Sequence, residues 1–338
     1  MIEFLLKNKE NILKKIDDMK NIKEDVYKHW NVEEFKCKDL YFAGGDGSYN
    51  KIDYISFTFY GVGAISYLHK EKINKIKEFF EFNVGNPLDI EERLKIYMQI
   101  LELKLAYYTL KNYDIDYYLY DGSLFSLLIS AKTELPKEVE EKFNKYYGEI
   151  NNKIDDEIEK GDFSIDEELW DVEYLCILKK LVEDYRDKLV GISKTSKINI
   201  YFDEKIPDMS IFAHYTNEEG YTTPIDFYMR LGEEKKEKHR QLSSVLRGIH
   251  YLEKNFNIKI NNAFIQFVRL EKNKCILGLT SFSKPNKDIL YGLKRISVNG
   301  YPYLLKVAHE NVEINNKKIH SFAKIVGINE LEARYMLK

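Results

Sequence analysis

Lys38 to Asp46 reads as a strand, and Asp53 to Tyr60, with the sequence Asp-Tyr-Ile-Ser-Phe-Thr-Phe-Tyr, alternates apolar and polar positions at period two. Gly61 to Leu68 continues after a glycine break, so the three runs together predict an opening antiparallel meander. The period then lengthens. Glu91 to Asn112 carries a helical repeat, Asp116 to Tyr120 is a short apolar strand, and Leu124 to Ser130 begins another helix. The order strand, strand, strand, helix, strand, helix predicts an α/β protein with a mixed sheet flanked by helices.

From Lys132 to Lys188 the chain turns to charge-rich helix, including the acidic stretch Asp155 to Asp171, and residues 132–188 read as a helical insertion within the core. Leu189-Val190-Gly191-Ile192 returns to strand character. Asn261 to Leu270 and Lys274 to Ser281 form a late hairpin, and Tyr301-Pro302 opens a helical tail with proline in its first turn. Met1 to Asp18 is an amphipathic, lysine-rich helix without the continuous apolar core of a signal peptide, so residues 1–37 read as an N-terminal helical extension. No low-complexity linker divides the chain, which is expected to be one domain over residues 1–338. No window approaches the ~20 apolar residues of a membrane span.

Composition narrows the partners only a little. Of 338 residues, 44% are apolar, enough for a large core, and the formal charge of −3 excludes a uniformly basic nucleic-acid coat. Any DNA contact must come from metal ions or from local patches, of which Lys235 to Arg247 and Lys284 to Arg295 are candidates with mixed charge. The 26 tyrosines and 19 phenylalanines offer stacking surface for bases, although core filling accounts for most of them. Cys37, Cys176 and Cys275 lack C-x-x-C spacing and read as buried thiols of a reducing cytoplasm.

The chemistry gathers around a repeated tripeptide. Ala43-Gly44-Gly45-Asp46-Gly47-Ser48 and Leu119-Tyr120-Asp121-Gly122-Ser123-Leu124 each place Asp-Gly-Ser after an apolar or aromatic run. One such tripeptide is an ordinary turn with a helix N-cap, whereas two after strand-like runs point to a pair of carboxylates at strand ends that share a divalent metal. A third acid is expected from the intervening helix, where Glu91, Glu92 and Glu102 are available. Glu102 shares a stripe with Lys95 and Gln99, which on periodicity alone reads as solvated. On the C-terminal helix His309 shares a face with Leu305, Ala308 and Val312, so its imidazole is expected to point inward, as a core histidine or as a ligand or proton shuttle. Asp208, after Ile206-Pro207, is a further acid behind a turn signal. Acids on the first and fourth strands of such a meander follow the layout of ribonuclease H-like nucleases, in which two cations activate water and stabilise the leaving oxygen.

The combination of Gly45-Asp46-Gly47-Ser48, Tyr120-Asp121-Gly122-Ser123-Leu124, Gly191-Ile192-Ser193-Lys194-Thr195 and Gly300-Tyr301-Pro302 followed by Ala308-His309 resembles the NurA nuclease family over about residues 40 to 315. The resemblance implies a ribonuclease H-like, metal-dependent DNA nuclease that favours manganese over magnesium, with two ions per site. It further implies a cytoplasmic homodimer that degrades DNA from 5′ ends, cuts single strands, and works with a hexameric HerA-type translocase in end resection and double-strand-break repair. Carried onto this chain, Asp46, Glu102 and Asp121 match the family's acidic metal ligands and His309 its C-terminal histidine, while Lys194 and Tyr301 match additional active-site positions. Two other readings stay beside it: a catalytically silent DNA-end adaptor for a translocase, and an RNA-directed nuclease on the same fold.

Overall fold

The computed structural model describes residues 2–20, 25–202, 206–228 and 240–328. Two short helices, α1 (Ile2–Lys7) and α2 (Lys9–Lys20), lead into strand β1 (Trp30–Val32). An antiparallel meander follows, of β2 (Phe42–Asp53), β3 (Thr58–His69) and β4 (Ile73–Gly85). Next come α3 (Ile90–Asn112), β5 (Tyr117–Asp121), α4 (Leu124–Thr133), α5 (Val139–Lys160), α6 (Trp170–Tyr185) and β6 (Leu189–Ser193). The chain continues through α7 (Asp208–Tyr215), β7 (Gly220–Thr222), β8 (Ile225–Asp226), α8 (Arg240–Phe256), β9 (Phe264–Arg269) and β10 (Leu277–Ser281). It finishes with α9 (Lys287–Ile296), the small hairpin β11 (Ser297–Val298) and β12 (Tyr301–Pro302), α10 (Tyr303–Val312) and α11 (Asn316–Ile325).

Ten strands form one mixed sheet in the order β1-β7-β9-β10-β6-β5-β2-β3-β4, with β8 also on β9. β5 lies parallel to both β2 and β6, and the other pairs are antiparallel. One face carries α3, α4, α5, α6 and α8 over a core that includes Tyr97, Leu101, Leu128 and Tyr174. The other face carries α9 and α10, which bury Leu119, Ile192, Leu279, Leu290 and Leu305. This is the ribonuclease H-like arrangement, here extended by the strands beyond β6.

Several boundaries differ from the pattern reading. Asp53 to Tyr60 is not one strand: residues 54–57 form the turn between β2 and β3. Gly61 sits inside β3 instead of breaking it, because its partner Phe82 on β4 lays its ring where a Cβ would stand, within 2.6 Å. The 13-residue strand β4 escaped the pattern altogether, since as a sheet edge its side chains are mostly half-exposed and its lysines and glutamates blur the alternation. Trp30–Val32, within the segment read as a helical extension, is a strand of the main sheet. Pro302 precedes the first residue of α10 instead of occupying its first turn.

Within residues 132–188, α6 packs on α3 and shares its core. Of the cysteines, only Cys176 is buried; Cys37 and Cys275 are exposed. Most of the basic patch Lys235 to Arg247 lies outside the described residues or in side chains not described. The patch Lys284 to Arg295 is largely neutralised: Lys287 pairs with Glu33 at 2.7 Å, Lys294 with Glu219 at 2.6 Å, and Arg295 with Asp39. Among the described residues no helix is long and apolar enough to cross a membrane.

Candidate active site

β2 and β5 run parallel with Gly45 opposite Tyr120, so one further step along each strand sets Asp46 beside Asp121 on the face covered by α10. The two Asp-Gly-Ser tripeptides do different work there. In the second, Asp121 ends β5, Gly122 turns the chain at φ +140°, and the Ser123 hydroxyl caps α4 by accepting from the Phe125 N–H at 3.3 Å. In the first, Asp46 lies in the middle of β2 and not at a strand end. Gly47 faces α3, where a Cβ would stand 2.7 Å from Glu102 Oε1, and Ser48 Oγ accepts from the Ile314 N–H at 2.9 Å. The bare Gly47 is what lets a carboxyl group from the helix approach the strand.

Glu102 is buried at 5% exposure, against the solvated position that its stripe suggested. The reason is that α3 is sandwiched between the sheet and α5 and α6, so it has no solvated side over most of its length. Its Oε2 accepts from the Tyr120 hydroxyl at 2.9 Å. Burial, with the charges of Asp46 and Asp121 beside it, pushes the Glu102 carboxyl up to about 8, against the opposing bonds from Tyr120 and the Gly47 N–H. Asp46 is likewise raised, first by burial and then by Asp121, with its bond to His309 acting the other way.

α10 brings His309 to Asp46, with Nδ1 at 2.7 Å from Oδ2. This imidazole does not point into the core with Leu305 and Ala308: 58% of its side chain is exposed, at the rim of the site. One oxygen from each of Asp46 and Asp121 and one His309 nitrogen lie within 4.8 Å of one another, close enough to share a cation. Asp121 has two further partners. Lys194, one residue beyond β6, approaches its Oδ2 at 3.0 Å, and the Tyr301 hydroxyl donates to its Oδ1 at 3.1 Å. The Lys194 ammonium also sits 4.8 Å over the Tyr301 ring.

Asp46, Asp121, His309, Lys194 and Tyr301 therefore meet on the α10 face where β5 ends, and Glu102 lies behind them on the α3 face, outside the group whose ligand atoms fall within 4.8 Å. Glu91 is held elsewhere, 2.8 Å from Lys51, and the side chain of Glu92 lies outside the described residues. Asp208 belongs to the fold: its buried carboxylate accepts from the N–H groups of Ile200, Tyr201 and Phe202. Tyr120 was not expected, yet it was readable, because period two turns its side chain away from Asp121 and toward α3.

The donor set suits a hard divalent ion. Two carboxylates with one imidazole match manganese or magnesium, and the nitrogen tilts the preference toward manganese. Fold and donor set together define a ribonuclease H-like protein with a carboxylate and imidazole cluster able to hold a cation. The NurA domain model matches residues 41–314, and the chain belongs to the NurA family. It is 51% identical to the probable DNA double-strand break repair nuclease NurA of Methanocaldococcus jannaschii, over all of this chain and 92% of that protein. The crystal structure of the NurA nuclease from Sulfolobus solfataricus superposes with a TM-score of 0.72 at 22% identity, covering 96% of this chain and 95% of that one. A NurA structure bound to dAMP and manganese superposes with a TM-score of 0.58 at 15% identity, over 100% and 98% of the two chains.

Proposed function

We propose that this protein is a metal-dependent deoxyribonuclease that hydrolyses DNA phosphodiester bonds at the Asp46, Asp121 and His309 cluster. The observation that carries the reading is the convergence of one oxygen from each of Asp46 and Asp121 with a His309 nitrogen within 4.8 Å of one another, beside a third, buried carboxyl, Glu102, whose ionised form is disfavoured by burial and by those two acids. The relatives named as DNA double-strand break repair nucleases support DNA as the substrate and repair as its setting. The NurA structure bound to dAMP and manganese supports the ion and the class of product.

Asp46, Asp121 and His309 would hold manganese, with Glu102 completing the set around a second ion. Such ions supply a water nucleophile at neutral pH and neutralise charge on the scissile phosphate. The chain's own residues arrange the rest. Asp46 and Asp121 sit on strands, so their carboxylates keep a fixed separation. The Tyr120 hydroxyl orients Glu102 behind them, and the Gly47 N–H donates to Asp46 Oδ1 at 2.9 Å. Lys194, half-exposed, can exchange its bond with Asp121 for a phosphate oxygen, and Tyr301 orients Asp121. His309, exposed at the rim, can ligate or pass a proton to solvent. We extend the reading to 5′-to-3′ exonuclease and single-strand endonuclease activity within a cytoplasmic homodimer that partners a HerA-type translocase in end resection.

The test is cleavage of 5′-labelled and 3′-labelled single-stranded and duplex DNA in manganese, magnesium or EDTA, with Asp46→Asn and Asp121→Asn in parallel. Manganese-dependent degradation should fall roughly 10³-fold or more in either variant, while the melting temperature is kept. Full activity in Asp46→Asn would overturn the assignment. Metal-independent binding without product in any condition would point instead to the adaptor.

A further inference from the structure

Of the run Gly191-Ile192-Ser193-Lys194-Thr195, Lys194 meets Asp121 directly, and Gly191 meets the turn that Asp121 begins. Gly191 pairs with Tyr120 on β5 and with Thr280 on β10, so the three residues form one row on the sheet face covered by α4. The middle of that row carries no side chain. A Cβ on Gly191 would stand 2.4 Å from Thr280 Oγ1, 2.7 Å from the Gly122 carbonyl oxygen and 2.8 Å from the Leu124 nitrogen. The turn after Asp121 therefore folds down onto bare β6 backbone, where Thr280 reaches across and its Oγ1 accepts from the Leu124 N–H at 3.0 Å.

The same turn is tied a second time, by the Gly122 N–H, which donates to the Ile192 carbonyl at 2.9 Å. The next two N–H groups of α4 are taken as well: Phe125 donates to Ser123 Oγ at 3.3 Å and Ser126 to the Ser123 carbonyl at 3.0 Å. With its first three N–H groups accepted within the protein, the start of α4 is closed to a phosphate. What these bonds fix is the path of the backbone out of Asp121. Thr280 is 1% exposed, so the Leu124 N–H has no water to turn to, and without the hydroxyl the turn must move to find another acceptor. At the other end of the row the Tyr120 hydroxyl donates to Glu102 at 2.9 Å. One row of the sheet thus braces two of the acids.

We propose that Thr280 is a positioning residue for the Asp121 carboxylate, acting through the Leu124 N–H, and that Gly191 supplies the space this clamp needs. The inference rests on the reading of Asp46, Asp121 and His309 as the metal site of a nuclease. Lys194 and Tyr301 hold the oxygens of Asp121, but neither touches its backbone. A ligand displaced by about 1 Å can cost a reaction roughly 10²-fold, so an anchor on β10, two strands from Asp121, bears on the chemistry without meeting metal or DNA.

The experiment compares Thr280→Val, Thr280→Ser and Gly191→Ala with the wild-type full-length protein at a temperature where each is folded. Free manganese measured by electron paramagnetic resonance gives its Kd, and cleavage of a single-stranded oligonucleotide gives kcat and KM. Thr280→Val keeps the shape and loses the acceptor; it should weaken manganese binding and lower kcat, each by roughly 10–100-fold, with KM for DNA within about twofold. Thr280→Ser keeps the acceptor and should stay within about threefold of the wild-type protein in both. Gly191→Ala keeps every hydrogen-bonding group but displaces the turn, so it should repeat the losses of Thr280→Val and carries the test if that variant does not fold. Thr222→Val is the control for lost stability alone. Its Oγ1 accepts from the Phe267 N–H at 2.8 Å in the same way, on β7, four strands from β5, and the variant should bind manganese as the wild-type protein does. Unchanged manganese affinity in Thr280→Val and Gly191→Ala overturns the clamp, as do equal losses in Thr280→Val and either Thr280→Ser or Thr222→Val. A wild-type protein that neither binds manganese nor cleaves DNA overturns the nuclease reading itself, whereas one that does both while Thr280→Val matches it overturns the clamp alone.

Discussion

Two acidic clusters hang from the same helix, and they are built in opposite ways. On the side of α3 away from the active site, Lys104 is fully buried and binds Glu157, Glu173 at 2.7 Å and the Ser164 carbonyl at 2.7 Å. Lys153 adds a second cation 3.1 Å from Glu173. The remaining carboxylate oxygens accept from Ser164 and Asp166, so this cluster is closed and neutral. Two residues earlier, Glu102 is buried with only a tyrosine hydroxyl and one backbone N–H against it, beside two more acids. A protein that can bury a lysine against two glutamates has not done so here. The contrast separates charge placed for the fold from charge placed for a cation that arrives from solution.

The largest effect expected from breaking this contrast lies in the closed cluster. Lys104→Met leaves Glu157 and Glu173 buried without their principal partner and should cost about 3–5 kcal/mol of stability, read as the shift in urea midpoint. Cleavage per folded molecule at a permissive temperature should persist. A near-neutral variant would show that the network contributes nothing to the fold and would remove the basis of the comparison.

Glu102→Gln should act in the other direction. The Glu102 carboxyl titrates at about 8 in the folded protein against 4.5 for an exposed glutamate. A group raised in this way contributes fully below the lower value, and stability is lost as pH climbs from there through the upper one. Glutamine suffers no such loss. In EDTA the variant should therefore exceed the wild-type protein by on the order of 3 kcal/mol at pH 7 and match it near pH 4, with manganese narrowing the gap at pH 7. Equal pH profiles for the two proteins would mean that burial and the neighbouring acids do not penalise the ionised Glu102 carboxylate, and the open cluster would not be open.

What the sequence made legible follows the same division. Asp121 was readable because strand, turn and cap are all local: an apolar run, a glycine at positive φ and a serine hydroxyl. Asp46 was found by the same signal although its surroundings differ, because a tripeptide inside a long strand looks the same as one at a turn. Glu102 and His309 were named, but their positions were misjudged, each by assuming that a helix has one wet side and one dry side. α3 is dry on both, and His309 lies at the boundary of the buried stripe of α10, where the ring can reach Asp46 and still meet solvent. Lys104 was not singled out. Its role depends on which helices lie alongside, and a buried ammonium has no local pattern.

The smallest expected effect concerns the second lysine of the comparison. Lys194 pairs with an acid as Lys104 does, yet half of its side chain meets solvent and it has one carboxylate instead of two. Such an exposed pair contributes at most about 1 kcal/mol to stability, so Lys194→Met should leave the urea midpoint nearly unchanged. If its ammonium leaves Asp121 for a phosphate, the variant should bind single-stranded DNA in EDTA roughly three- to tenfold more weakly, and the slope of log affinity against log salt should fall by about 0.7. Lys104→Met should leave that slope unaltered, because its ammonium never meets DNA. An unchanged slope in Lys194→Met would place this lysine with Lys104, as a partner for an acid and nothing more, and the incompletely neutralised charge of the site would have to be weighed again without it.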